Sequence, residues 1–321
     1  MNLSILKVLF IIFYLLSGLS NANSDIKNKQ IAYLVSDINI PFWNIMANGI
    51  KDKAKKRGYS VKVYSANNIK LKELKNTIKA LNSNIVGLVV SPINSLTAVT
   101  ILKFASKSNI PVSISDIGTN SGNYISFISS NNKKGAYDIG LVLAKKMKEM
   151  KIDNGKVGII SIPQKRANGK ARTIGFMKAL DEYGIKSAGL LQQVDFSYQE
   201  TYNHSIKLIT ENKDLKALWL QGSDKYQGAL DAINDSGNKG KILLICFDAE
   251  PEFLDMISKG ELVGAAMQQP YLMGEKAVDS LIDYLDGKKV EKNIQLEVLA
   301  ISQKNIKEKI DIIKRNVLGQ K

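Results

Sequence analysis

Short apolar runs recur along this chain, each followed by a longer amphipathic stretch, and that rhythm constrains the fold more than any other feature. It argues for parallel sheets with crossover helices, because a parallel neighbour is reached only by carrying the chain back across the sheet. The first unit reads as strand 31–35, helix 42–57 and strand 61–64. Helix 71–81, strand 87–90, helix 96–106 and strands 112–115 and 125–128 extend it. The pattern restarts with helix 136–147, strand 156–160, helix 171–183, strand 189–191 and helix 198–211. Strand 217–220, helix 226–234, strand 242–246, a short helix 251–258 and strand 263–266 follow. Helix 274–286 and strand 295–298 then precede a lysine-rich tail. The predicted fold class is α/β, with two doubly wound parallel-sheet domains, and 321 residues suffice for two cores.

Lys7 and the apolar run from Val8 to Leu16, followed by small and polar residues through Ser20-Asn21-Ala22, have the layout of a secretory signal peptide over residues 1–22. The run falls short of the roughly 20 apolar residues that span a bilayer, so an exported, soluble, periplasmic protein is expected. An uncleaved N-terminal anchor is the alternative. No cysteine lies near the cleavage point to carry a lipid.

The single cysteine, Cys246, lies in an apolar run, can form no internal disulfide, and is expected to be buried. The single histidine, His204, lies in a helical pattern beside Tyr202 and Asn203 and is expected at the surface. No G-x-S-x-G elbow exists to partner it, and there is no dinucleotide loop after the first strand, no P-loop and no metal-ligand spacing. Neither enzyme chemistry nor a cofactor nor a metal is expected, and no residue is assigned as catalytic. A net charge of +15 would permit nucleic-acid binding. Yet the lysines alternate with Asp, Glu and Asn along the helices, and the densest cluster, Lys53-Ala54-Lys55-Lys56-Arg57, is short. Solvated helix faces account for the charge, so no nucleic-acid partner is expected.

Ligands of open parallel sheets sit beyond the carboxyl ends of the strands. The segments there are polar and aromatic: Ser36-Asp37-Ile38-Asn39-Ile40-Pro41-Phe42-Trp43, Ser91-Pro92-Ile93-Asn94-Ser95 and Ser115-Asp116 in the first half. In the second half they are Gln164-Lys165-Arg166 through Arg172, Asp195-Phe196, Gly222-Ser223-Asp224, Phe247-Asp248 and Met267-Gln268-Gln269-Pro270.

In the order and spacing of these segments the chain resembles the periplasmic sugar-binding proteins of the ribose/galactose type, throughout its mature length. Ile40-Pro41-Phe42-Trp43, Ser91-Pro92-Ile93-Asn94, Ile110-Pro111-Val112 before Asp116, Ala171-Arg172-Thr173-Ile174-Gly175-Phe176, and Phe247-Asp248 with Gln268-Gln269-Pro270 carry the resemblance. It implies two lobes joined by three crossings, near Asn131, Gln268 and Val298. One lobe is residues 29–131 plus 269–298, and the other 132–268 plus 299–315. It also implies a monomer that closes around a small polar ligand, a sugar or sugar-like molecule, and delivers it to a membrane permease of an ABC-type importer. The alternative is a receptor of the same fold that signals to a membrane sensor.

The resemblance further implies the ligand contacts. Phe42 and Trp43 would offer ring faces, or else pack as core at a helix start. Asp116 and Asp248 would accept hydrogen bonds from ligand hydroxyls, or else cap the segments that follow. Arg172 would present its fork to ring oxygens or a carboxylate, or else lie on a helix surface. Phe196 would line the second lobe, or else join its core. Gln268 would contribute an amide, and Asn168 and Ser223 lie near further contact positions. Two departures bear on the ligand. Ile40 stands where ribose binders have an asparagine, and Ile117 where they have an arginine. Ribose would leave polar groups unpaired at about 1 to 3 kcal/mol each, which points towards a deoxygenated sugar, a quorum-type small molecule or an amine oxide-like ligand.

Overall fold

The computed structural model describes residues 29–320, so the signal peptide expected over 1–22 lies outside the described residues. The first sheet contains β1 (Gln30–Val35), β2 (Ser60–Ser65), β3 (Gly87–Ser91), β4 (Val112–Ser115), β5 (Ser126–Ser130) and, from late in the chain, a strand at Asn293–Leu296. The second contains β6 (Lys156–Ser161), β7 (Lys186–Gln192), β8 (Leu215–Leu220), β9 (Leu243–Phe247), β10 (Gly264–Met267) and a strand at Leu299–Ser302. In chain order the two late strands are β11 and β12. The strand orders are β2-β1-β3-β4-β5-β11 and β7-β6-β8-β9-β10-β12, and every pairing is parallel except β10 with β12.

Burial explains why these strands read as continuous apolar runs. Ile31, Tyr33 and Val35 of β1 enter one core cluster, whereas Ala32 and Leu34 enter another on the opposite face. β8 behaves likewise, with Ala217 and Trp219 on one side and Leu218 and Leu220 on the other. Helices cover both faces of each sheet, which is the doubly wound arrangement. Those of the first unit are α1 (Pro41–Lys56), α2 (Lys70–Leu81) and α3 (Ser95–Lys107). Those of the second are α4 (Asn132–Glu149), α5 (Ala167–Glu182), α6 (Tyr198–Glu211), α7 (Tyr226–Asp235) and α8 (Phe253–Lys259).

The chain passes between the sheets three times: from β5 into α4, from β10 into α9 (Pro270–Leu285), and from β11 into β12. α9 returns to the first sheet and lies against α1 at facing glycines. A Cβ at Gly49 would meet the Tyr271 carbonyl oxygen at 2.2 Å, and one at Gly274 the Met46 carbonyl oxygen at 2.3 Å. Lys53 and Arg57 of the basic cluster pair with Asp279, Asp283 and Asp286 of α9, so those cations tie two helices together.

The carboxyl-terminal stretch differs from the sequence expectation. The strand expected over 295–298 ends at Leu296 as part of β11, Glu297 and Val298 cross between the sheets, and an unforeseen strand begins at Leu299; Leu296 is buried in the first core and Val298 in the second. Alternating hydrophobicity marks burial but does not reveal that the face belongs to a new sheet. The lysine-rich tail is also structured, as α10 (Ile306–Ile312) and a π-helical turn at Ile313–Val317. Ile306, Ile313, Val317 and Leu318 enter the second core. Arg315 reaches the nearly buried Glu275 on α9 at 2.7 Å. Among the described residues, no helix is long and apolar enough to cross a membrane.

Candidate functional site between the two sheets

A cavity of about 910 Å³, counted out through its mouth into open solvent, opens between the two units. All nine residues singled out from the sequence line it: Phe42, Trp43, Asp116, Asn168, Arg172, Phe196, Ser223, Asp248 and Gln268. All but Arg172, which lies in the second turn of α5, lie in a loop or first helical turn beyond a strand's carboxyl end. α5 begins at Ala167, four residues earlier than periodicity suggested, and this places Asn168 in its first turn.

The first unit contributes rings and one carboxylate. Pro41 starts α1 with its φ already helical and no N–H to satisfy, so Phe42 and Trp43 follow at the cavity edge. The two rings meet edge to face at 6.2 Å. Trp43 is both cavity wall and core, and its Nε1 donates to Asp116 Oδ2 at 3.3 Å. Asp116 sits just past β4 with φ +66°, a left-handed conformation that costs a non-glycine residue about 1 kcal/mol. Burial raises its pKa to about 6, with Asp248 adding repulsion, while Arg172, the Trp43 bond and Arg166 pull it down.

The second unit contributes the charged framework. Arg172 is buried, so the surface-helix alternative does not hold. Its Nε donates to Asn132 Oδ1 at 2.8 Å, and its Nη1 to the Gln221 carbonyl at 2.5 Å and to Asp248 Oδ2 at 3.4 Å. The guanidinium also lies 3.8 Å from the centre of the Phe247 ring, a stabilising cation–π contact. Asp248 adopts φ +69° beyond β9, mirroring Asp116. Its other oxygen accepts from Gln268 Nε2 at 2.6 Å. Burial raises the Asp248 pKa and Arg172 opposes that shift.

Phe196 is the third cavity residue with a positive φ, at +57°. Its loop is held by Glu200, whose carboxylate accepts from the backbone N–H groups of Val194, Asp195 and Phe196 at 2.6, 3.2 and 2.9 Å. Sequence reasoning missed Glu200, although Ser197-Gln199-Glu200 fits the helix-start pattern of a hydroxyl followed three residues later by a carboxylate. It also missed Arg166, Gln193, Gln221, Asp224 and Glu250 as cavity residues. Arg166 and Asp224 lay within flagged segments, and Glu250 lies two residues past Asp248 in the same loop. Ser223 Oγ donates to Glu250 Oε1 at 2.8 Å. Burial is the main cause that lifts the Glu250 pKa to about 7; the Ser223 bond opposes it, and Asp224, Asp248 and Glu252 add to it.

Other flagged polar residues serve the scaffold. Ser91 bonds Tyr33 and Ser115 in the interior, Asn94 caps α3, and Ile93 N–H donates to the buried Glu73. None of them lines the cavity. Cys246 is buried with its thiol pKa raised by burial, and His204 sits on α6 beside the Gln192 carbonyl, away from the cavity.

Two α/β units with a ring-and-carboxylate cavity between them describe a fold and a site, and comparison supplies the family. Residues 31–289 match the family model described as a periplasmic binding protein domain. The chain belongs to the periplasmic binding protein family. Over 292 residues this binding protein is 29% identical to the ribose import binding protein of Haemophilus influenzae, covering 90% of this chain and 96% of that one. In fold it is similar to a carbohydrate transporter solute binding protein from Agrobacterium radiobacter in complex with D-arabinose, at TM-score 0.82 and 23% identity over 91% of this chain and all of that one, 100%. It is likewise similar to an ABC transporter periplasmic solute binding protein from Actinobacillus succinogenes with bound D-allose, at TM-score 0.80 and 19% identity, covering 87% and 99% of the two chains. Its relatives are binding components of importers and not enzymes, and this binding protein is placed with them.

Proposed function

We propose that this protein captures a small hydroxylated molecule of the sugar class between its two lobes, in the periplasm, and passes it to the membrane permease of an ABC-type importer. The observation that carries this reading is the convergence of Phe42, Trp43 and Phe196 with Asp116, Arg172 and Asp248 on one cavity. Ring faces suit the C–H surfaces of a sugar, and ionised oxygens suit its hydroxyls. The names of relatives that bind ribose, and the D-arabinose and D-allose found in structures of like fold, support the same class. The lobes are taken as residues 29–131 plus 269–298 and 132–268 plus 299–315, after a leader over 1–22. Asn168 and Gln268 would add amide contacts, and Ser223 would brace Glu250.

Thermal melting of the mature chain with D-ribose, D-allose and D-arabinose tests the reading. A sugar at about a hundredfold above its Kd stabilises the fold by about 2.7 kcal/mol, a rise of several degrees. The rise should disappear in Phe196→Ala and in Arg172→Ala. No rise with any sugar of this class, or one that survives both substitutions, would contradict the proposal.

A further inference from the structure

The polar groups of the cavity are unevenly divided between donors and acceptors. Several donors are already engaged inside the protein, whereas the Arg166 guanidinium, over the Phe196 ring, makes no hydrogen bond to the described residues. Arg172 is tied to Asn132, the Gln221 carbonyl and Asp248; Trp43 donates to Asp116, Gln268 to Asp248, and Ser223 to Glu250. Some acceptors are left open. Gln268 Oε1 is buried with no hydrogen-bond partner, although the residue is only 2% exposed. Glu250 Oε2 and one oxygen of Asp224 take no hydrogen bond from the described residues.

The charges are uneven in the same direction. Four carboxylates, of Asp116, Asp224, Asp248 and Glu250, line the cavity against two guanidinium groups, of Arg166 and Arg172. Lys225 pairs with Asp224 at 3.1 Å from outside the lining. Arg172 is committed to the Asp248 side, and among the described residues no cationic side chain is paired with Glu250. This acceptor-rich, anionic corner occurs in a chain whose net charge is +15, so it is not the residue of an acidic composition. A carboxyl whose pKa is about 7, mainly because it is buried, with neighbouring carboxylates adding to the shift, would be ionised by a cation arriving with the ligand. On the opposite wall Ile40 and Ile117 offer no polar atom in their side chains, so the ligand edge there is apolar.

From this pattern we infer that the ligand is an amino-substituted sugar or aminopolyol, whose ammonium group lies against Glu250 in the corner made with Ser223 and Asp224. The inference rests on the proposed capture of a sugar-class molecule in this cavity and names the chemistry of that molecule. A neutral sugar would leave the Glu250 and Asp224 acceptors served only by hydroxyl donors, whereas an ammonium supplies three donors and the missing charge.

Matched pairs of probes test it. Binding of D-glucosamine, D-galactosamine and D-mannosamine is measured by titration calorimetry at pH 7.5 beside D-glucose, D-galactose, D-mannose and the three N-acetyl derivatives. At least one amine should bind ten-fold or more tightly than its parent sugar and its N-acetyl form. E250Q, which keeps a hydrogen-bonding oxygen for Ser223, should erase that difference, and Asp224→Asn should reduce it. A parent or N-acetyl sugar that binds as well as its amine overturns the inference and leaves the proposed sugar capture standing. A preference unchanged in both variants also overturns it. Failure of all nine probes and of the neutral pentoses to bind overturns the inference and the proposed function together.

Discussion

Asp116 faces two opposed demands. Its pKa, raised by burial to about 6, means that the folded state holds the proton more tightly than the unfolded chain, whose aspartates titrate at about 3.9. The ligand-free fold therefore has the full stability contribution of this group below about pH 4 and loses it as pH rises from there through about 6. Asp116→Asn removes the ionisation and should raise the melting temperature of the ligand-free protein at pH 8, with the gain over wild type vanishing below about pH 4. The same substitution should weaken sugar binding about ten-fold, by converting a charge-assisted acceptor into a neutral one. Melting curves and titrations of the two proteins across that pH range check both outcomes. Such residues were legible in the sequence because side chains beyond strand ends have a fixed destination in a parallel sheet. Glu250 and Asp224 were not singled out, because their roles come from burial and from neighbours contributed by other loops.

Elements were legible where one periodicity runs uninterrupted between breakers. α6 begins and ends where the sequence predicted, at Tyr198 and Glu211, because Ser197 caps it and Asn212 leaves the helical conformation. The strand expected over 295–298 ran past the end of β11 into the crossing, and β12 was not foreseen, because Glu297 and Val298 pass between the lobes without a glycine or proline to mark it. The same scale decides the Phe196 loop, which depends on Glu200 at the start of α6. Three backbone N–H groups converge on that carboxylate, and each such bond contributes about 1 kcal/mol net. Glu200→Ala should lower sugar affinity at least ten-fold although Glu200 does not line the cavity, while Glu200→Gln, which retains one acceptor oxygen, should recover part of it. Calorimetric titration of both variants separates positioning from general unfolding, because a merely destabilised protein would keep the wild-type Kd below its melting temperature.

At the scale of the whole molecule, three chain crossings and a carboxyl-terminal segment join two otherwise separate cores. α10 and the turn after it bury Ile306, Ile313 and Val317 in the second core, while Arg315 and Asn316 bond to Glu275 and Gln269 at the start of α9. Two-lobe architecture was legible from the restart of the strand-helix rhythm; this clasp was not, because its apolar positions are separated by lysines and recur only at helical spacing. Capture of a ligand, as proposed, requires that the cavity between these two cores hold one. Native mass spectrometry of the mature chain, mixed with the pentoses, hexoses and hexosamines named above, tests this most directly. The account predicts one bound hydroxylated molecule per chain in the wild type and none in Arg172→Ala or Phe196→Ala, each shown by circular dichroism to be folded. A wild-type spectrum without a bound molecule, or adducts of equal abundance in all three proteins, would contradict it.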